Sequence, residues 1–402
     1  MRIAVLTSTF PLDRDDSDQA AWILEIIRGL RSAGHYVAVY TQHRPGGQEN
    51  VDGVPVEHFP WPSRDKRLAE LSLWNPLDLW AALRLLVNGT RGLPGFFERH
   101  QIDLCLVFWA LPNGWYIWRK TTATGVPYRV WALGSDINKY GHLPFVRGVL
   151  RRILLAADAV YADGFELASR IEHRFGARCE FLGTSRTRTS PAMPKDATAA
   201  GPSDSYRFLY IGRLAPIKGV DLLMEAACNL PESAVLSVAG GGPLADMVQQ
   251  AADQAGGRVQ VLGRISDTTL ERELAQCDCV VIPSRSETIP IVLGEALQFG
   301  KRLIVTDVGD MGYIVRRYRL GEVVPAQDAK ALSLAMRRAA TGVAGADFDP
   351  NGWREASRLF DTSAAVARLA AGLQAQPGER PVTGKLTHLD SWQKDDQQSC
   401  ER

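Results

Sequence analysis

Short apolar runs typical of β-strands alternate with longer segments of helical periodicity, and this alternation begins twice from a similar start. The first start is the run Arg2–Thr7, followed by a loop and an amphipathic segment from about residue 18 to residue 33. The second is Arg207–Ile211, followed by a glycine-bearing loop and another helical segment. Strands that are repeatedly separated by helices form parallel sheets with helices on both faces. We therefore predict an α/β protein with two Rossmann-like, doubly wound parallel-sheet domains that face a cleft.

The other predicted strands and the composition between them set the domain boundaries. Strands are predicted at 36–41, 103–108, 128–133 and 159–162, and then at 234–239, 259–262, 280–282, 303–306 and 322–324. Residues 190–205 are rich in Pro, Ala, Ser, Gly and Asp and lack apolar periodicity, which is typical of an interdomain linker. We predict an N-terminal domain over residues 1–189, a C-terminal domain over 206–350, a C-terminal helix over 351–373, and a disordered polar tail over 374–402.

Charge, cysteine content and hydropathy exclude several classes of function. Lys and Arg total 46 against 45 Asp and Glu, a net charge of +1, so we expect no nucleic-acid partner. The six cysteines do not make a disulfide framework, and Cys277 and Cys279 lack the second ligand pair of a zinc site, so we expect no metal. The apolar run Ile3–Leu6 is too short for a signal peptide, and no stretch of about 18 apolar residues could span a membrane. We therefore expect a cytoplasmic protein.

Two glycine-bearing loops follow predicted strands and open helices, at the strand ends where parallel sheets bind ligands. Gly212 and Arg213 follow the strand 207–211, and Lys218 comes just before the next helix. A helix N-terminus, the planar fork of Arg and the point charge of Lys together suit a diphosphate, whereas a solvated basic loop is the alternative. In the turn 240–243, Gly241 and Gly242 either let a ligand approach the backbone or form a tight turn with no ligand.

A pair of glutamates follows the predicted strand 280–282. Glu287 lies in the loop before the next helix and Glu295 about one turn inside that helix, with mostly apolar residues between them. A carboxylate buried in such a run needs hydrogen-bonding partners, and sugar hydroxyls are good ones. For Glu287 alone, a carboxylate that favours a helix N-terminus is the alternative. As a pair, the two glutamates indicate a sugar-binding site.

These motifs resemble those of the retaining, GT-B-fold glycosyltransferases of family 4. The resemblance rests on Gly212 and Arg213 with Lys218, on the turn 240–243, and on the two glutamates with seven residues between them, and it covers most of residues 1–372. It implies a C-terminal domain that binds a UDP-, GDP- or ADP-linked sugar and an N-terminal domain that binds the acceptor. It also implies retention at the anomeric carbon and no metal or other cofactor.

The resemblance further implies roles for the site residues. Arg213 and Lys218 would hold the diphosphate and stabilise its departure, since two cations can take the role of a metal. Glu295 would bind the nucleotide ribose, and Glu287 would contact the donor sugar, either as a nucleophile or as a positioning group. The donor would also contact the loop glycines and, through backbone amides, the segment after Glu287. These residues are Gly212, Gly241, Gly242, Thr288, Ile289, Pro290, Ile291 and Val292.

In the N-terminal half, residues 134–137 follow the predicted strand 128–133 and resemble the His-Gly-Ser-Asp segment of the family, with Leu133 in place of the His. Asp136 is therefore our candidate on the acceptor side, as a base or as a group that orients the attacking hydroxyl. An N-cap aspartate is the alternative. Family members often carry Gly-Phe-Gly after the first glutamate, and this chain has residues Thr288 to Pro290 there, a change that bears on donor choice.

A basic amphipathic segment and several tryptophans occur in the N-terminal half. The segment Phe145–Leu155 carries three arginines. Trp74 and Trp80 lie in another apolar helical stretch, with a cluster of tryptophans nearby, Trp109, Trp115 and Trp118. Such a surface suits peripheral contact with an anionic membrane and a lipid-linked acceptor. Ordinary core packing with a solvated arginine face is the alternative.

The sequence therefore predicts a glycosyltransferase that moves a sugar from a nucleotide-diphosphate donor to a hydroxyl of a glycan or a lipid-linked acceptor. Two alternatives stay open. A sugar-nucleotide epimerase on the same twin fold would form free sugar-nucleotide isomers without any acceptor. A non-catalytic sugar-nucleotide sensor would show neither donor hydrolysis nor transfer.

Overall fold

The computed structural model describes residues 1–12, 21–62, 71, 75–120, 124–183, 185–188, 205–342 and 348–374. The chain divides into two units. Met1–Gly183 with Thr362–Arg402 is here called the N-terminal unit, and Thr184–Asp361 the C-terminal unit. The predicted linker (190–205) and the predicted tail (374–402) lie outside the described residues, apart from residues 205 and 374.

Strands and helices alternate through both units. The strands are β1 (Arg2–Leu6), β2 (Tyr36–Gln42), β3 (Asn50–Val51), β4 (Val54–Phe59), β5 (Leu104–Phe108), β6 (Tyr128–Ala132), β7 (Ala159–Ala162), β8 (Glu180–Phe181), β9 (Tyr206–Ile211), β10 (Ala234–Ala239), β11 (Val259–Gly263), β12 (Cys279–Ile282), β13 (Arg302–Thr306) and β14 (Gly321–Val324). The helices are α1 (Ala21–Ser32), α2 (Pro76–His100), α3 (Asn113–Trp118), α4 (Ser135–Tyr140), α5 (Pro144–Ala156), α6 (Phe165–Phe175), α7 (Val220–Ala227), α8 (Ala245–Gln254), α9 (Asp267–Gln276), α10 (Ile291–Gln298), α11 (Met311–Tyr318), α12 (Ala329–Ala340), α13 (Pro350–Leu359) and α14 (Thr362–Gln374).

The sheet of the N-terminal unit has the strand order β3-β4-β2-β1-β5-β6-β7-β8, and its pairs are parallel except for β3 with β4. Strand β1 lies inside this sheet, where Ile3 pairs with Val37 of β2 and Leu104 of β5. Residues 3–6 are buried because a parallel sheet is covered by helices on both faces. The strand order reverses between β1 and β5, and such a reversal leaves a ligand-binding crevice at the carboxyl ends of the two strands.

The sheet of the C-terminal unit has the order β11-β10-β9-β12-β13-β14 and is wholly parallel. Its order reverses between β9 and β12, where Phe208 pairs with Cys279 and Leu209 with Val280. The loops that follow these two strands carry the predicted diphosphate and sugar residues. The prediction of two doubly wound, parallel-sheet α/β domains is confirmed.

The predicted single helix over 351–373 is two helices that belong to different units. Helix α13 lies in the C-terminal unit and α14 in the N-terminal unit. Helix α14 packs on α1, where Gly29 faces Val366, and it accepts a hydrogen bond from Arg129 at the carbonyl of Leu369 (3.2 Å). The break falls at residues 360–361, and Asp361 and Thr362 are residue types that favour the start of a new helix.

The C-terminal unit also begins earlier than predicted, at Thr184 rather than after residue 189. Residues 185–188 belong to the C-terminal unit because they are hydrogen-bonded to Gln298 at the end of α10. The side-chain amide of Gln298 donates to Ser185 Oγ (2.9 Å) and to the carbonyl of Arg186 (2.6 Å). Its side-chain oxygen accepts from the backbone N–H of Arg188 at 2.8 Å.

Candidate active site

The loops that follow β9 and β12 are packed against one another. The backbone N–H of Arg285 donates to the carbonyl of Ile217 at 2.9 Å. Gly219 has a φ of +66°, and a Cβ at this position would overlap the carbonyl oxygen of Pro283. Glycine is therefore required here both for the backbone conformation and for the close approach of the two loops. This packing places the 3₁₀ helix Pro216–Lys218 beside the loop that carries Glu287.

Lys218 and Glu287 form an ion pair at this point. The Lys218 ammonium contacts Glu287 Oε1, which also accepts a hydrogen bond from Ser284 Oγ at 3.3 Å. The Lys218 side chain is 29% exposed and that of Glu287 is 15% exposed, so both remain accessible to a ligand. The structure thus brings together the cation and the acid that the sequence predicted for the diphosphate and for the donor sugar.

The loop carrying Lys218 is fastened by a second ion pair that sequence reasoning missed. Arg285 donates from both terminal nitrogens to Asp221, at 2.7 Å each. Arg285 also donates to the carbonyl of Pro216, at the start of the 3₁₀ helix. A two-pronged Arg–carboxylate contact fixes geometry as well as charge. Arg285 therefore helps to fix the turn from which Lys218 projects.

Arg213 lies in the same loop, directly after β9. Its side chain is exposed, and no acidic side chain in the described part of the chain pairs with its guanidinium. Its carbonyl is held by the hydroxyl of Tyr210, which donates at 3.0 Å. Burial, together with the nearby negative charge of Glu287, raises the pKa of Tyr210 above its ordinary value, so this hydroxyl stays protonated and keeps donating. The backbone of Arg213 is thus fixed while its charge is available to an anion.

The glycines of the turn 240–243, which follows β10, allow this turn to pack closely against the loop after β9. A Cβ at Gly240 would overlap the carbonyl oxygen of Gly212, and one at Gly242 would overlap that of Leu214. The backbone N–H of Leu214 donates to the carbonyl of Gly241 at 3.0 Å. Of the two readings of this turn, the structural one therefore has direct support. Donor contacts by Gly212, Gly241 and Gly242 stay a prediction.

The segment after Glu287 leads to the N-terminus of α10. In the described part of the chain, the amides of Thr288, Ile289, Ile291 and Val292 have no hydrogen-bond acceptor. Pro290 has no N–H, so the expectation that it presents a backbone amide is wrong for that residue. Helix α10 has no side-chain cap and no acidic residue in its first turn. Its free N–H groups and positive dipole end suit the oxygen atoms of a phosphate or a sugar.

Glu295 lies deeper in α10 and has a protein partner that the sequence did not reveal. Its side chain is 4% exposed, and Oε1 accepts from Nε (3.0 Å) and Nη2 (2.6 Å) of Arg188. Arg188 also contacts Asp267 Oδ1 through Nη1, at 2.8 Å. The buried carboxylate therefore does have the kind of partner that its burial demands, an arginine 107 residues away in the chain.

Asp136 follows β6 in the N-terminal unit and is 3% exposed. Its Oδ2 accepts from the backbone N–H of Ala110 at 2.5 Å, which ties the end of β6 to the end of β5. Its Oδ1 is buried without a hydrogen-bond partner among the described residues. Burial raises the pKa of Asp136 to about 6, against the lowering effect of the Ala110 amide and three other backbone amides. A carboxyl group with a pKa near neutrality and a free oxygen can accept or hold a proton.

Asn113 lies near the same strand ends and was not predicted. Its side-chain amide donates to Ser8 Oγ at 2.9 Å and to the carbonyl of Phe108 at 2.7 Å, so it joins the loop after β1 to the loop after β5. The reversal point of the N-terminal sheet thus carries ordered polar groups. The only sequence signal was their position directly after predicted strands.

Among the residues that the structure describes, the cysteine and acidic side chains show no arrangement for a metal. Burial raises the pKa of the Cys277 thiol to about 12 and that of Cys279 well above its ordinary value, so both are protonated core residues. Across the described ranges, no group of three or more His, Cys, Asp or Glu side chains is placed to share a metal ion.

The basic amphipathic segment forms α5, which buries Val149, Leu150, Ile153 and Leu154. Its arginines are exposed, as ordinary packing predicts, although Phe145 is exposed as well. A second apolar surface lies on α2, where Leu77, Trp80 and Leu83 are each more than half exposed and share one face. Trp74 lies outside the described residues. No helix in the described part of the chain is both long and apolar enough to cross a bilayer.

Comparison with known proteins extends these observations. Residues 195–342 match the model of the glycosyl transferases group 1, and residues 19–180 match that of the glycosyl transferase 4-like domain. A D-inositol 3-phosphate glycosyltransferase of Xylanimonas cellulosilytica is 27% identical over 411 residues, which cover 93% of this chain and 92% of that protein. The putative teichuronic acid biosynthesis glycosyltransferase TuaC of Bacillus subtilis is 27% identical over 245 residues, 59% of this chain and 61% of that protein.

Solved structures show the same fold. Sucrose-phosphate synthase from Thermosynechococcus elongatus aligns with a TM-score of 0.73 and 19% identity over 92% of this chain and 97% of that chain. Anabaena HepE, in complex with UDP and glucose, aligns with a TM-score of 0.66 and 17% identity over 94% of this chain and 100% of that chain. Together, the two family matches, the full-length relatives and the twin parallel sheets establish that this chain belongs to the group 1 glycosyltransferases of the GT-B fold.

Proposed function

We propose that this glycosyltransferase takes its sugar from a nucleoside diphosphate donor and transfers it to a hydroxyl with retention at the anomeric carbon, as in family 4. The observation that carries the proposal is the pairing of Lys218 with Glu287, together with the exposed guanidinium of Arg213 on the same loop as Lys218. These three side chains lie on the loops at the strand-order reversal of the C-terminal sheet, the position at which parallel α/β sheets bind nucleotides.

In this proposal the diphosphate is held by charge and by backbone amides. Arg213 supplies a planar pair of donors, Lys218 a point charge, and the N-terminus of α10 further N–H groups. As the bond from the sugar to the phosphate breaks, negative charge grows on the departing diphosphate. The two fixed cations stabilise that charge, a role that a divalent metal ion has in other enzymes. The donor step is therefore proposed to need no metal ion.

Glu287 is proposed to contact the donor sugar, since its carboxylate lies beside the cation that faces the diphosphate. Glu295 is proposed to accept a hydrogen bond from the nucleotide ribose. The N-terminal unit is proposed to bind the acceptor, with Asp136 as the group that orients the attacking hydroxyl or takes its proton. The free Oδ1 of Asp136 and its pKa of about 6 support this last role.

The first donors to test are UDP-sugars, because HepE has been solved with UDP and with UDP-glucose. GDP- and ADP-sugars follow. Purified protein should transfer radiolabelled sugar from one of these donors to an acceptor in the presence of EDTA, and NMR of the product should show the anomeric configuration of the donor. A requirement for added Mg²⁺ or Mn²⁺, or an inverted product, would contradict the corresponding part of the proposal. Isomerised sugar nucleotide without acceptor would point to an epimerase, and binding without turnover to a sensor.

The acceptor is proposed to be a glycan or a lipid-linked sugar, with peripheral membrane contact through the exposed face of α2. Arg84, whose guanidinium lies 5.4 Å from the Trp80 ring centroid, adds positive charge to this apolar surface. Vesicles with anionic lipid should retain the protein in a flotation assay, and L83E should weaken this retention about tenfold or more. The matched variant L334E, at an exposed leucine of α12 in the C-terminal unit, should behave as wild type. Equal effects of both variants would remove this support.

A second acceptor class follows from the relatives. Several full-length or partial relatives are D-inositol 3-phosphate glycosyltransferases. An inositol phosphate is thus the water-soluble acceptor to test beside lipid-linked sugars. Transfer to it in the absence of vesicles would favour this candidate over the membrane-bound one.

A further inference from the structure

Arg188 binds Glu295 on the buried side of α10. Its Nε and Nη2 both donate to Oε1 of Glu295, at 3.0 and 2.6 Å. The two side chains are 3% and 4% exposed, so water does not compete strongly for either. Because both donors converge on one oxygen, Arg188 engages Oε1 and leaves Oε2 for another partner.

Arg188 is itself held from two further directions. Nη1 contacts Asp267 Oδ1 at 2.8 Å, and the backbone N–H donates to the side-chain oxygen of Gln298 at 2.8 Å. Burial by itself lowers the pKa of Arg188, but Glu295 and Asp267 together raise it above its ordinary value. The guanidinium is thus a fixed cation between two carboxylates, one of which lies on the helix that begins at the proposed donor site.

We propose that Arg188 is a positioning residue for donor binding, which fixes Oε1 of Glu295 so that Oε2 accepts the hydrogen bond from a ribose hydroxyl. This inference rests on the proposed function, in which Glu295 binds the ribose. A carboxylate that is already oriented gains more from a ligand hydroxyl than one that must first be ordered. Arg188 also gives the buried Glu295 charge a partner when no nucleotide is bound.

The test measures how much a ribose hydroxyl contributes to nucleotide affinity with and without the Arg188 side chain. Wild-type protein is first titrated with UDP, GDP and ADP by calorimetry, and the nucleoside diphosphate that binds most tightly is used in all later steps. Its 2′-deoxy and 3′-deoxy analogues are then titrated into wild type, R188M and R186M. Arg186 is the matched control, because it reaches Asp267 at 3.5 Å but has no contact with Glu295.

The expected results separate positioning from simple folding. Removing one ribose hydroxyl should weaken wild-type binding about tenfold or more, as is typical of a hydrogen bond to a charged group. In R188M, the intact nucleotide should bind about tenfold more weakly than to wild type. Removal of the same ribose hydroxyl should then weaken binding by less than about twofold. R186M should retain the wild-type hydroxyl effect. A merely structural role would change overall stability and leave the hydroxyl effect in the folded fraction unchanged.

Each other outcome is decisive. If folded R188M keeps the full hydroxyl effect, Arg188 does not position Glu295 and the inference is wrong. If R188M does not fold, R188K is compared with wild type instead, since it keeps a buried cation but not the converging pair of donors. An unchanged effect of hydroxyl removal in R188K overturns the inference, and a reduced effect supports it. If wild type binds the intact and the deoxy nucleotides equally tightly, the inference is wrong. The proposed function is then tested separately by the transfer assay. A wild type that binds none of the three nucleotides overturns both.

Discussion

The ammonium group of Lys218 contacts the carboxylate of Glu287, although the two residues are 69 positions apart in the chain. The contact joins the loop after β9 to the loop after β12, the two strands between which the C-terminal sheet reverses its order. A ligand at these strand ends therefore meets a fixed pair of opposite charges, and the loop after β9 also carries the exposed Arg213. We therefore propose that the donor's diphosphate binds at this point.

Replacement of Lys218 by Met should lower the rate of sugar transfer about a hundredfold to a thousandfold at saturating donor, because the departing diphosphate loses a preorganised cation. Steady-state kinetics with radiolabelled donor measures the effect. Lys330, an exposed lysine of α12, is the matched control, and K330M should transfer at the wild-type rate. A K218M variant with unchanged turnover would remove Lys218 from the proposed mechanism.

Replacement of Glu287 by Gln should separate binding from transfer. The variant keeps the shape of the side chain but no longer neutralises Lys218, so the free nucleoside diphosphate should bind as tightly as to wild type or several times more tightly. Transfer should nevertheless fall about a hundredfold, because the contact with the donor sugar is lost. Calorimetry measures the affinity for the nucleoside diphosphate, and steady-state kinetics on the same preparation measures the rate of sugar transfer. Nucleotide binding that weakens in parallel with transfer would show that Glu287 serves the diphosphate site as a whole.

Replacement of Gly219 by Ala should destabilise the C-terminal unit through the overlap with Pro283. Gly256 is the matched control, because its φ of +60° is similar to the +66° of Gly219 while no atom lies within 4 Å of its missing Cβ. G256A should cost about 1 to 2 kcal/mol from the left-handed backbone alone, and G219A should cost at least about 1 kcal/mol more. Urea unfolding of the two variants measures the difference. Equal losses would mean that the loops after β9 and β12 can move apart freely.

Replacement of Asp136 by Asn should change how the stability of the protein depends on pH. Burial raises the pKa of Asp136 in the folded state to about 6, from an ordinary value of 3.8, so the folded state favours the protonated form. The stability that protonation contributes is present below the ordinary pKa and is lost as the pH rises through about 6. Between about pH 5 and about pH 7.5, wild type should therefore lose about 1 kcal/mol of unfolding free energy relative to D136N. Parallel pH profiles from urea unfolding would show instead that Asp136 is ionised throughout.

Eleven of the fourteen strands in the described part of the chain and both donor loops could be predicted because the signals are local, whereas β3, β4 and β8, at the edges of the N-terminal sheet, were not predicted. Each predicted strand is a short apolar run bounded by glycine or polar residues, and strand-end loops collect at one edge of a parallel sheet. Arg213, Lys218 and Glu287 therefore fall in loops that the strand order makes neighbours. The glycines of the turn 240–243 carried an ambiguous signal, since backbone packing and ligand approach both require the absence of a Cβ.

The partner of Glu295 could not be predicted because it is set by tertiary packing alone. Arg188 lies in a polar run just before the segment 189–204, and nothing in its neighbours indicates that it is 3% exposed. The break between α13 and α14 was missed for a related reason. Helical periodicity continues across Asp361, and only the packing of α14 on α1 shows that the chain returns to the N-terminal unit there.

The central claim is that the loops after β9 and β12 hold a nucleoside diphosphate. It is tested most directly by a crystal structure of the protein with UDP, GDP or ADP, whichever binds most tightly in solution. The account predicts diphosphate oxygens within hydrogen-bonding distance of Lys218 Nζ and the Arg213 guanidinium, and the ribose at Glu295. A diphosphate bound elsewhere, with Lys218 still paired only to Glu287, would contradict it.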